Sequence, residues 1–146
     1  MAGKSDEYGS NFLKLVFNAT NWSLVADNTA TTPLTNLYAS LHTADPAHAG
    51  NQTTNEIGYT TYGRVAVART SGGWTISGSN PTQVAPASNI SFPAGTGGSG
   101  TATYFGIGSA TSGTGHLFYS GTVTPNVVCG NGITPILTTA STITEA

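Results

Sequence analysis

Charged residues are almost missing from this chain. They make up 7% of its 146 residues, against about 25% in an average soluble domain. Its cations are Lys4, Lys14, Arg64 and Arg69 alone. At a net charge of −2, these four form no stripe that could follow a phosphate backbone, which argues against nucleic acid as a partner. No apolar run reaches the roughly 18 residues of a spanning helix, so neither a membrane span nor a membrane partner is expected. The single cysteine, Cys129, excludes an intramolecular disulfide and a cysteine-rich metal site. It sits in VVCGNG, where a buried structural thiol is a better reading than a nucleophile or an intermolecular cross-link. The opening MAGKSDEYGS lacks the apolar core of a signal peptide, which predicts synthesis in a cytoplasm without export by a cleaved signal. Internal repeats, linkers and heptad runs are missing too, so neither a solenoid nor a coiled-coil shaft is encoded.

What remains is Thr, Ser, Asn, Gly and a 38% apolar fraction. A chain of this length can bury a core without disulfides or metals. A surface poor in Lys and Glu costs little to desolvate and immobilises few flexible side chains, so it suits lying against other proteins. The same composition also fits β-structure with many turns.

Residues 10–19, SNFLKLVFNA, carry Phe12, Leu15, Val16 and Ala19 at helical spacing. Ser5 or Ser10 is a candidate cap, and Leu13 and Phe17 fall off the main stripe. Beyond the helix the pattern is β. Short strands are predicted at residues 37–42, 62–68, 74–76, 89–92, 102–107, 117–123, 127–129, 133–137 and 141–144. Residues 47–58 and 77–88 read as loops, and Gly130-Asn131-Gly132 as a hairpin turn. The expected core is Phe12, Leu15, Val16, Leu37, Leu41, Val65, Val67, Ile90, Phe92, Ile107, Leu117 and Ile136. The predicted fold is mostly β: an antiparallel β-sandwich, jelly-roll-like, with one short N-terminal helix. It forms a single domain over 1–146, with a helical arm at 1–20 and a body at 35–144.

No constellation for catalysis stands out. His42 and His48 flank Asp45 in HTADPAH, but their spacing matches no metal site, and an Asp-Pro turn accounts for the aspartate. His116 reads as the start of a strand, and nothing in the sequence orients a Cys129–His dyad. Neither a phosphate loop nor a cofactor motif is present. The expectation is therefore no catalytic, metal or cofactor site. Arg64 has two readings: an exposed charge that discourages edge pairing, or a bidentate partner for Glu56 or for a neighbour's carboxylate.

Several motifs follow one another in a recognisable order: FLKLVFNAT (12–20), LYASLHTADP (37–46), NEIGYTTYGRVAVAR (55–69), ISFP (90–93), TYFGIGSATSGTGHLFYSG (103–121) and VCGNGITP (128–135). This order resembles a family of small virion proteins of tailed bacteriophages, known both as tail fibre proteins and as capsid proteins. The resemblance implies a non-enzymatic structural role in the virion. One compact domain leaves no room for a shaft plus an attachment region, so the expected role is a capsid decoration or cement protein. Its expected partners are the major capsid protein and copies of itself in a homotrimer. The alternative is a tail fibre protein that contacts tail proteins or a host surface glycan. The candidate interface residues are Leu13, Phe17 and Arg64.

Overall fold

The computed structural model describes residues 5–22, 26, 33–79 and 81–145. One helix, α1 (Asp6–Asn18), precedes nine strands among these residues: β1 (Asn36–His42), β2 (Val65–Ala68), β3 (Trp74–Ser77), β4 (Thr82–Pro86), β5 (Ile90–Ser91), β6 (Ser99–Gly108), β7 (Leu117–Gly130), β8 (Ile136–Leu137) and β9 (Ile143–Glu145). The protein is thus mostly β, with antiparallel pairing and a single N-terminal helix. No described helix is long and apolar enough to cross a membrane. Contacts divide the chain into two compact units, Met1–Thr35 with Ala68–Ser88 and Thr138–Ala146, and Asn36–Val67 with Asn89–Leu137.

The first unit holds α1 and a sheet of order β3-β4-β9. Ser5 caps the helix, its hydroxyl accepting the Tyr8 N–H at 3.2 Å, and Ala19 ends it in the left-handed conformation. The last turn of α1 contains no basic residue. Arg69 serves it instead, donating to the carbonyls of Leu15 and Val16, which the helix cannot satisfy itself. The buried face of α1 is Gly9, Leu13 and Phe17, each one turn from the next. A side chain at Gly9 would meet the Thr82 hydroxyl at 3.3 Å, so glycine permits the close approach to β4. Phe17 meets Trp74 edge to face, with ring centroids 4.9 Å apart. Leu13 and Phe17 are both 0% exposed. They are therefore core residues of this unit, where α1 packs on β3 and β4. Phe12, Leu15 and Val16, the predicted inner stripe, are half-buried.

The second unit holds a sheet of order β2-β1-β6-β7 and the small pair β5-β8. Directly paired residues share a face. Leu41 lies opposite Phe105, and Ala39 opposite Ile107, on the inner side. His42, Tyr104 and Thr122 share the other. Of the remaining predicted core, Leu37, Ile90 and Phe92 are buried, while Val65, Val67 and Leu117 are half-buried.

Four boundaries differ from the sequence reading. β2 begins at Val65, leaving Arg64 before the strand. Residues 77–88 contain β4, whose inward positions are Thr82, Val84 and Pro86. The runs at 117–123 and 127–129 are one strand, β7, displaced between the pairs Tyr104↔Thr122 and Ala102↔Val127, where Pro125 has no N–H to give the ladder. β8 pairs with β5 and not across the Gly130–Gly132 turn. In β8 the inward residue is Leu137, and Ile136 is 41% exposed.

Candidate functional site

Within the second unit, two loops are fastened together beside the outer face of β6 and β7. Arg64 is the fastener. Its Nε donates to Glu56 Oε1 and its Nη2 to Glu56 Oε2, both at 2.7 Å, a bidentate pair. Nη1 donates to the Ala110 carbonyl at 2.9 Å and Nη2 also to that of Gly113 at 2.7 Å. The Arg64 side chain is 2% exposed and that of Glu56 15%. The bidentate reading thus holds, with Glu56 as the carboxylate. Arg64 uses four of its five N–H groups within its own chain.

Tyr62 extends this network. Its hydroxyl donates to Glu56 Oε1 at 2.8 Å and accepts the Leu41 N–H at 3.1 Å, tying the pair to β1. Burial, with the adjacent carboxylate, pushes its phenol far above the usual range, so it remains a donor. Its ring stacks on Phe92 at 6.3 Å. Gln52, fully buried, accepts the Ala110 N–H through Oε1, and its backbone N–H donates to the Thr114 carbonyl, both at 2.9 Å. The sequence signalled Glu56 and Arg64 but gave no sign of the roles of Tyr62, which reads as the start of a strand, or of Gln52, which reads as a loop residue.

Above this brace, the turn at residues 45–50 and the β6–β7 face enclose an open cleft of about 330 Å³. Asp45 shapes the turn, its Oδ1 accepting the Ala47 N–H at 2.8 Å, while Asn55 Nδ2 donates to the Asp45 carbonyl at 2.9 Å. Gly50 closes it so tightly that a side chain there would lie 1.8 Å from the Pro46 oxygen. Asp45 and His48 form one wall, and Tyr104, Phe118 and Ser120 line the sheet side.

The histidines that flank Asp45 in sequence do not converge. His48 lines the cleft, but His42 is fully buried on β1. Its Nδ1 donates to the Thr54 carbonyl at 2.8 Å, which leaves Nε2 to accept from the Ser40 hydroxyl at 2.9 Å. Burial lowers the His42 pKa. This serine–histidine pair has the connectivity of a nucleophile and its base, but both residues are 0% exposed and no substrate can approach. His116 lies exposed just before β7. Cys129 is buried, and burial raises its thiol pKa, away from the reactive thiolate. Among the described residues, no group of three or more His, Cys, Asp or Glu is placed to hold a metal ion.

Residues 13–144 match the family model described as podophage GP4 fiber I protein gp80. No curated protein matches the chain.

Proposed function

The chain belongs to the podophage GP4 fiber I protein gp80 family of phage virion structural proteins, and from that premise we propose that it is a non-enzymatic fibre subunit that assembles with its neighbours through β7. The family description supports the fibre over the capsid. The observation that carries the assembly role is β7 itself. It is a 14-residue strand at the edge of its sheet and contains no charged residue. Edge strands of soluble monomers are commonly guarded by lysines or covered. Here Pro125 is the one blocking residue, and Phe118 and Val128 stand 42% and 58% exposed on the strand. An uncharged edge of this kind is suited to pairing with a second copy of the chain, in a trimer or another symmetric assembly, or with an adjacent virion protein. The burial of Ser40, His42 and Cys129 supports the non-enzymatic reading.

Cryo-EM of purified particles tests the position: density on a fibre, with β7 against a neighbour, is expected. The low charge count favours a second reading, a trimeric capsid decoration protein seated on the major capsid protein, and density on the capsid lattice would establish that reading instead. Val128→Lys tests the surface. It is expected to lower incorporation while leaving the thermal melt unchanged, and wild-type incorporation would remove β7 from the interface.

A further inference from the structure

We propose that the cleft between the 45–50 turn and the β6–β7 face is a binding subsite for a neutral saccharide. This goes beyond the assembly role: it shares Phe118 of β7 with that role and adds the 45–50 turn and Tyr104 of β6. Sugar recognition needs an apolar ring face against which C–H groups lie, and fixed polar groups at its rim for the hydroxyls. Both are present. Gly106 pairs with Ser120 and Tyr104 with Thr122, so Tyr104 and Ser120 share one face of the sheet. Phe118, two residues before Ser120, extends the same lining and is 42% exposed. On the opposite wall, Asp45 Oδ1 is occupied by the turn, while its Oδ2 makes no hydrogen bond within the described residues and can accept from a hydroxyl. His48 and the Ser120 hydroxyl add groups that both donate and accept.

The wall is held in advance of any ligand. The Asp45 turn, the Asn55 bond to the Asp45 carbonyl and the Arg64 clamp fix the loops, so little ordering is needed on binding. The volume of about 330 Å³ lies at the small end of ligand sites and suits one or two pyranose rings. Charge sets the sugar class. The cleft presents a carboxylate and neither Lys nor Arg, Arg64 is already bonded to Glu56 and two carbonyls, and Arg69 caps α1. An anionic sugar would meet Asp45 with no cation to offset it, so neutral pyranosides are favoured.

The test is an amide NMR titration of the full chain with the methyl glycosides of glucose, galactose, mannose and rhamnose, and with N-acetylneuraminic acid as the acidic probe. At least one neutral glycoside is expected to shift the amides of Gly50, Tyr104 and residues 118–120, and the acidic sugar none. Phe118→Ala removes an exposed ring and should weaken that binding about tenfold with the fold intact. Asp45→Asn keeps the turn acceptor, removes the charge and should also weaken it. Silence with all four neutral glycosides, shifts that survive Phe118→Ala, or preference for the acidic sugar would each overturn the proposal. Binding of the chain to particles is read separately and is untouched by these results.

Discussion

Replacing Arg64 by lysine keeps the charge and removes the fork. A lysine ammonium can meet one Glu56 oxygen but cannot hold both while also reaching Ala110 and Gly113. Two carbonyls and part of a carboxylate then lose their donor next to a position that is 2% exposed in the native chain. A hydrogen bond to a charged group contributes about 1.5–3 kcal/mol, and an uncompensated buried pair costs about 3–5. Lysine recovers one contact and Glu56 keeps Tyr62, so the expected loss is about 2–4 kcal/mol. At roughly 2–4 °C per kcal/mol for a chain of this size, the Tm should fall by about 4–16 °C. Urea denaturation followed by circular dichroism measures the loss. Combining Arg64→Lys with Glu56→Gln should then show coupling of about 1 kcal/mol or more, because the two residues act as one unit. A variant that melts with the wild type, or strictly additive losses, would refute the clamp.

Three further outcomes follow from the packing and the buried histidine. Phe17→Ala empties a fully buried ring site against Trp74 and should cost about 3–5 kcal/mol by urea melt; a change under about 1 kcal/mol would return α1 to the status of a detachable arm. Leu137→Ala should cost about 2–5 kcal/mol and Ile136→Ala far less, since they point to opposite sides of β8; equal losses would contradict the register. Because the folded pKa of His42 lies below its unfolded value, the unfolded chain takes up the proton first as pH falls. The stability from its neutral form is full above about pH 6.5 and declines below it. The His42 ring signals should accordingly titrate below about pH 6.5, and a midpoint at or above that value would contradict its burial.

The sequence made the helix visible but misled about its inner face. Counting large apolar residues selects Phe12, Leu15 and Val16, whereas the contact is made by Gly9, Leu13 and Phe17. Glycine adds nothing to an apolar count, yet its bareness is what brings α1 onto Thr82. β4 was hidden for a related reason: Thr82 and Pro86, which read as loop residues, occupy inward positions beside Val84. Pro125 split β7 in the pattern because alternation cannot distinguish a bulged strand from two strands. Strands with clean alternation or strong apolar ends, such as β1 and β3, were legible. At the site, scarcity of charge made Glu56 and Arg64 conspicuous. The cleft was not legible, since it joins a turn near residue 45 to strands some sixty residues later, and no local pattern records that meeting.

The threading of the two units bears on how the molecule would carry a load. Helix α1 and strand β9 belong to the same unit, α1 packs on β4, and β4 pairs with β9. Tension applied at Asp6 and Glu145 therefore has a short route through α1, β4 and β9. The unit holding the cleft is built from two separate stretches of chain, residues 36–67 and 89–137. Load entering at those two points would be borne by the packing of α1 on β4 and by the β4–β9 ladder.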